Sequence, residues 1–282
     1  MRNIKVLNSI DLSSFTTIMT GINVLISVLI SLFVVIVFAI TSPASIGVSI
    51  YIVPTIIVSG FITGIYRYFS DGLFYNLLSS KLRNIYFIFD NNELVKVSTT
   101  ETATIVATIT LIQAVLLYLV SVMLLPMIMN AAIQTLMFSG QQIMAYSLYQ
   151  MMMVMTQPMT IIMILFGSFI ITFVFVLIGT YLYNFIASKG RGITLELSKE
   201  NEMTSIDSID VMKFAIAFSI VSGVLDLIVG IIMVISGGTV MSLLSNVISG
   251  FVGGFIVAAL IAVFYNFLAP KLGKLKLELI DH

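Results

Sequence analysis

Six stretches of this chain are apolar over the length a helix needs to cross lipid. Residues 13–40, 46–70, 101–125, 159–187, 211–235 and 243–269 hold almost no Asp, Lys or Arg. A hydrocarbon core of about 30 Å calls for about 20 such residues. Composition agrees: 59% of the 282 residues are hydrophobic and 9% charged, against about 25% charged in a typical soluble domain. In water, a surface built from this composition would be largely greasy. The sequence predicts an all-α membrane protein with six transmembrane helices.

The cationic residues set the expected orientation. Lys and Arg fall at 2, 5, 67, 81, 83, 96, 189, 191, 199, 213, 271, 274 and 276. With six crossings, all but Arg67 lie on one side, whereas the connectors 41–45, 126–158 and 236–242 carry no charge. Lys and Arg collect in cytoplasmic loops, so both termini are expected in the cytoplasm and the protein in the cell membrane. The polar stretch Arg2–Asp11 leads straight into the first span with no short apolar region and small-residue cleavage site. The first helix is therefore expected to be kept.

The end of every second span follows one pattern. Gly60-Phe61-x-x-Gly64, Tyr75-Asn76, Lys81 and the alternation Ile85, Phe87, Phe89 come first. Ser168-Phe169-x-x-Thr172, Tyr183-Asn184, Lys189 and Ile193, Leu195, Leu197 come next. Gly250-Phe251-x-x-Gly254, Tyr265-Asn266, Lys271 and Leu275, Leu277, Leu279 complete the series at the same spacing. Small residues four apart let helices approach closely in lipid. Tyr suits the headgroup level, with its ring in hydrocarbon and its hydroxyl in water. Gly190, Gly192 and Gly273 suit a chain turning out of a helix, and a period of two marks a half-buried strand.

Turn-rich centres at Asp90-Asn91-Asn92 and Ser198–Asn201 predict hairpins, 85–89 with 93–98 and 193–197 with 202–206. The outer strands near 4–7 and 275–279 are left to pair with each other. Six strands closed in this way have no free edge. The expected fold is three β-helix-helix-β repeats around a pseudo-threefold axis, with a small cytoplasmic ring of strands. The repeats divide as 1–90, 91–198 and 199–282, the second holding the outer insertion 126–158. Repeats of equal orientation are related by an axis along the membrane normal.

The third repeat resembles the small two-helix transmembrane domain found at the C-terminus of certain actinobacterial membrane proteins. Ile206-Asp207 with Lys213 matches that family's opening, and Tyr265-Asn266 with Leu275–Leu279 matches its close. Gly273-Lys274 departs from the family's double glycine. Ile10-Asp11 and Tyr75-Asn76 carry the motif into the first repeat; the second keeps Tyr183-Asn184 and lacks the Ile-Asp step. The resemblance implies this fold and brings no established activity with it.

Few residues suggest chemistry. Cysteine is absent and His282 is the one histidine, which excludes disulfides, thiolate or imidazole metal cages and histidine-based triads. A net charge of zero gives no basic field for nucleic acid. Neither an enzyme nor a cofactor is expected. Asp226 lies near the middle of the fifth span, where a carboxylate costs roughly 2.5–3.5 kcal/mol on insertion scales and faces protein or water. It is read either as an ion or proton site or as a protonated carboxyl bonded to a neighbouring helix. Arg67 is the cation within a span, with Asp71 at i+4 as a local partner and Asp226 as the alternative.

Asn76, Asn184 and Asn266 would form a polar ring or bond backbone where helix gives way to strand. Asn23 and Gln113 are read as interhelical hydrogen-bonding groups. The uncharged segment 126–158, bounded by Pro126 and Pro158, holds Met127, Met129, Met137, Met144, Met151, Met152, Met153 and Met155, with Met159 next to it. Soft thioethers can bind Cu(I), but methionine commonly makes an adaptable contact surface. The segment is read as a helical cap that docks on lipid or on a membrane-protein partner. Two functions follow: a non-catalytic membrane scaffold or complex subunit, or an ion channel or carrier using the repeat axis or Asp226.

Overall fold

In the computed structural model the described residues are 2–82, 84–200 and 202–281. Met1, Arg83, Asn201 and His282 lie outside them. Of the described residues 77% are helical. Among the described residues six helical stretches are long and apolar enough to cross a membrane, the mark of a multi-pass membrane protein. Two compact units form, residues 1–102 with 177–282, and residues 103–176.

The first unit holds all the strands: β1 (Arg2–Ile10), β2 (Tyr86–Asp90), β3 (Glu93–Val97), β4 (Ile193–Glu200), β5 (Met203–Ile209) and β6 (Leu275–Asp281). They close in sequence order into an antiparallel barrel. The closing pair is β1 with β6, Leu7 opposite Leu279 and Val6 opposite Ile280. The strands expected at 4–7 and 275–279 do pair. The second hairpin is longer than its alternation suggested, running to Glu200 opposite Met203 and on to Ile209. Polar residues such as Ser198, Lys199 and Ser208 interrupt the apolar alternation but still pair across the strands.

Directly opposed residues share a face of a sheet. Leu7 with Leu279, Thr204 with Leu277, Ile206 with Leu275, and Leu195 with Ile209 form one largely apolar face. On that face Leu7, Phe89, Ile206 and Leu279 are buried. Ile206 joins one continuous core with Ile18, Ile22, Tyr265, Leu268 and Ala269, against which Leu195, Leu197, Leu275 and Leu277 pack.

In the same unit α1 (Leu12–Thr41) packs along α2 (Ser49–Ser79), reached through a 3₁₀ turn at Pro43–Val48. Helix α6 (Val211–Ile235) packs along α7 (Val240–Ile248) and α8 (Gly254–Leu272), which a π-helical segment at Ser249–Gly253 joins. The small residues make these contacts possible. A Cβ at Gly60 would lie 2.0 Å from Ser27 Oγ, and one at Gly254 would lie 2.0 Å from Ser222 Oγ. Phe33, Ile40, Ile50 and Ile235 remain exposed on these helices, as lipid-facing side chains should.

Helix α3 (Thr99–Phe138) begins in the first unit and continues into the second, which also holds α4 (Gln142–Met155) and the start of α5 (Pro158–Ile186). The boundary expected at Pro126 is not there: α3 runs through it to Phe138. The residues on both sides are apolar, and membrane helices tolerate an interior proline. Pro158, by contrast, opens α5, a position where its missing N–H goes unused. Gly140 turns the chain between α3 and α4 at φ +77°. Met129, Ile133 and Ala145 are buried, whereas Met127, Met137, Met144, Met151, Met153 and Met155 are exposed.

Candidate functional site

The motif residues of the three helix ends meet the barrel through one set of bonds. Tyr75 donates its hydroxyl to the Leu7 carbonyl at 2.6 Å. Tyr183 donates to Leu94, and Tyr265 to Ile206, both at 2.5 Å. Three residues further along each strand an Asn clamps one backbone unit from both sides. Asn76 Nδ2 donates to the Ile10 carbonyl while its Oδ1 accepts the Ile10 N–H, both at 2.8 Å. Asn184 does the same at Val97 (2.8 Å each), and Asn266 at Ile209 (2.9 and 2.8 Å). The Tyr oxygens also accept backbone N–H groups of the strand leaving the helix, Ile193 at 3.2 Å and Leu275 at 3.2 Å. Each Tyr-Asn pair thus staples the entering strand to the leaving one at a junction where the chain passes through two or more helices instead of a turn.

Two expectations change here. Tyr75 and Tyr265 are only 4% and 2% exposed, so they are not headgroup-level anchors with free hydroxyls. A phenol hydroxyl within reach of an otherwise unpaired strand carbonyl is stabilised better by that bond than by solvent, because a buried carbonyl needs a partner. The Asn amides bond backbone, as one reading had it. Their partner is the residue where the preceding strand passes into a helix, not the residue where their own helix ends.

The Ile-Asp step of the third helix pair is Ile209-Asp210, not Ile206-Asp207. Asp210 accepts the Lys213 N–H at 3.0 Å, as Asp11 accepts the Ser14 N–H at 2.8 Å. Both carboxylates cap helix N-termini. The sequence repeats Ser-Ile-Asp twice, at 205–207 and 208–210; the Asn266 clamp on Ile209 and the helix cap at Asp210 distinguish them. Asp207 instead meets Lys274 Nζ at 2.7 Å and the Ser198 hydroxyl at 2.7 Å. Those two donors hold its carboxyl below the usual carboxylate range. Lys189 and Lys271 lie over the rings of Phe185 and Phe267, at 5.7 and 3.2 Å, and Lys81 is exposed just beyond α2. Gly190 and Gly273 take positive φ, +74° and +101°. Gly192 has ordinary backbone and is needed for space: a Cβ there would meet the Leu94 carbonyl at 2.5 Å.

Within the spans, polar groups gather along α6 and the π-helical segment. Ser219 donates to the Phe251 carbonyl and Ser222 to the Gly250 carbonyl, each at 2.7 Å. A π-bulge shifts carbonyls out of their intrahelical bonds, and these serines satisfy them. Asp226 sits half-buried beside them, its Oδ2 2.6 Å from where a Gly250 Cβ would stand. Among the described residues it has no hydrogen-bond or ion-pair partner. Arg67 reaches Asp71, 3.9 Å away, and the Tyr68 ring; the Arg67–Asp226 pair is not formed. Asn23 donates across to the Gly60 carbonyl at 2.6 Å, the interhelical bond expected of it. No cluster of three or more His, Cys, Asp or Glu able to hold a metal occurs among the described residues.

No protein-family model matches the chain, and neither the curated proteins nor the solved structures include a match.

Proposed function

We propose that this chain is a non-catalytic integral membrane scaffold, or a subunit of a membrane complex. Its barrel would be a rigid base that fixes the ends of the helices. The observation that carries this reading is the apolar barrel face, which is continuous with buried residues of α1 and α8. The three Tyr-Asn staples around that barrel support a triplicated β-helix-helix-β unit, with a pseudo-threefold axis through the barrel. Lys81, Lys189 and Lys271 stand at the barrel-side helix ends, where the positive-inside rule favours the cytoplasm. Both terminal strands belong to the barrel, so both termini would be cytoplasmic, in a cell-membrane protein. The exposed, uncharged methionines of 127–155 suit contact with a membrane-protein partner.

Reconstitution into liposomes tests the reading. The expected result is ion flux no greater than that of protein-free vesicles, together with a membrane protein that co-purifies and cross-links to residues 126–158. A second reading, a channel or carrier, draws on unpartnered Asp226 beside the π-helical segment. Flux in the parent that disappears in Asp226→Asn would select it and reject the scaffold.

A further inference from the structure

The helix pairs differ in the hydroxyls that their entering helices carry. Thr20 of α1 and Ser219 of α6 each stand ten residues after the clamped residue, Ile10 or Ile209. Their neighbours match as well: a Cβ at Gly64 would lie 3.3 Å from Thr20 Cα, and one at Gly254 would lie 3.5 Å from Ser219 Cα. Ser219 donates to the Phe251 carbonyl, inside the π-helical segment. The matching carbonyl in the first pair is that of Phe61, fourteen residues before Tyr75 as Phe251 is before Tyr265. Helix α2 has no π-helical segment there. It runs as α-helix from Ser49 to Ser79, so the Phe61 carbonyl stays in the ladder of its own helix. Thr20 is 5% exposed, and its hydroxyl is left buried without a partner. One turn earlier the Thr16 hydroxyl is also buried and unpartnered. At the place of Thr16 the other entering helices have Ala103 and Ala215, and α3 has Ala107 at the place of Thr20. The first helix pair alone carries both hydroxyls.

Thr16 and Thr20 line a groove of about 590 Å³ between α1, α2 and α8. On its floor Gly21 lets Leu268 and Leu272 of α8 come within 3.1 and 3.0 Å of where a Cβ would stand. Phe61, Ile65 and Leu272 are exposed along it. None of its lining side chains is charged. A space of this size with an apolar lining and a few polar groups is what a small-molecule site looks like. Both hydroxyl oxygens are covered in this conformation. Threonine in a helix divides between two χ1 rotamers, and a rotation that exchanges methyl and hydroxyl turns the donor outward without changing the shape of the side chain.

We propose that this groove holds a diacyl glycerolipid by its ester linkages. The Thr16 and Thr20 hydroxyls donate to ester carbonyls, and an acyl chain lies against Phe61, Ile65 and Leu272. The two threonines stand four and eight residues past Leu12, where α1 begins, so about 6 and 12 Å along the helix. An interfacial layer of about 5–8 Å gives way to hydrocarbon at that depth, which is where ester groups lie. The chemistry is complementary: an ester carbonyl accepts and has nothing to donate, and these hydroxyls have protons with no acceptor. In lipid no water is at hand to take them. With no charge on the walls, the site reads the linkage and not the headgroup. The proposal is independent of the scaffold reading, because a lipid held in this way fits a scaffold or a carrier equally.

The test uses the full chain in maltoside micelles, given an equal mixture of diester and diether phosphatidylcholine with chains of the same length. Native mass spectrometry counts the lipid retained. The parent should retain the diester at least tenfold over the diether, as two hydrogen bonds allow, and the same ratio should hold for phosphatidylglycerol. The double variant Thr16→Val/Thr20→Val should lose the preference, and Thr16→Ser/Thr20→Ser should keep it. Thr55→Val, which removes a hydroxyl bonded to the Tyr51 carbonyl elsewhere on α2, should leave it unchanged. In lipid-free micelles the valine variant should unfold at or above the parent's midpoint, because the hydroxyls it removes have no partner. A lower midpoint means that they bond within the protein and overturns the site. Equal retention of diester and diether by the parent overturns ester recognition, and an unchanged preference in the valine variant overturns its assignment to the threonines. Displacement of the diester by a long-chain alcohol at equal concentration assigns the groove to a hydroxyl-bearing ligand instead.

Discussion

Helices α8 and α5 end on the same Tyr-Asn pair and leave it differently. At the end of α8, Tyr265 is buried, β5 pairs with β6 through three successive residues from Thr204 to Ile206, and Ile206 belongs to the main core. At the end of α5, Tyr183 is half-buried, β3 pairs with β4 through two, and a cleft opens beside them. The bonds are the same; the surroundings decide what they are worth. A hydrogen bond sealed from water leaves a costly orphan when one partner is removed, and a wetter one does not. The α8 end therefore serves as structure, and the α5 end is free to diverge.

The largest test of that contrast lies at the Asn clamps. Asn266→Ala strips partners from both the N–H and the carbonyl of Ile209, and a loss of about 2–4 kcal/mol is expected at about 1–2 per orphaned group. Asn184→Ala should cost about half as much, because Asn184 lines the cleft and water there can replace its amide. Unfolding in mixed detergent, read by circular dichroism, compares the two; equal losses would show that the α5 junction is as dry as the other.

Next come the phenols. Tyr265→Phe leaves the Ile206 carbonyl buried without its donor, at about 1–3 kcal/mol, and Tyr183→Phe should fall near the bottom of that range. The same unfolding measurement decides, and a larger effect at Tyr183 would reverse the ranking.

Glycine positions sharpen the comparison further. Gly192→Ala forces a Cβ against the Leu94 carbonyl and should part β3 from β4, costing about 1–3 kcal/mol as overpacking. Gly273→Ala, at φ +101° with open space around it, meets only backbone strain of about 1 kcal/mol. Hydrogen exchange should show faster exchange at Leu195 N–H in the first variant and not in the second.

The smallest effect is one of pH, at the β5–β6 junction. Asp207 is held below the ordinary carboxylate range by Lys274 and Ser198. Its folded value is lower than its unfolded one, so its contribution is complete above about pH 4. That contribution is lost as pH falls through the folded value. The midpoint of the parent should approach that of Asp207→Asn as pH drops below about 4. Because the group is exposed, the difference at pH 7 should be small.

Much of this fold was legible in the residues. Apolar run length marked the six helices, and alternation with turn residues marked the strands. The small residues at Gly60, Gly64, Gly250 and Gly254 marked helix contacts. The motif at Tyr75-Asn76, Tyr183-Asn184 and Tyr265-Asn266 was visible, but its role was not. A Tyr at a helix end reads the same whether it faces headgroups or a strand carbonyl far away in sequence, and Leu7, Leu94 and Ile206 carry no side-chain signal of a backbone bond. The second Ile-Asp step, the passage of α3 through Pro126 and the serines that serve the π-helical segment were hidden for the same reason.

The sequence by itself determined that the chain partitions into lipid, where its helices begin, and that its strands alternate, because hydrophobic run length and period are local properties. Tertiary structure alone decided that the apolar barrel face joins the helix core, that the Tyr-Asn pairs are staples, and that Thr20 is left without the carbonyl its serine counterpart finds. Those depend on which distant backbone groups are brought within hydrogen-bond reach, and no local pattern of residues encodes that distance.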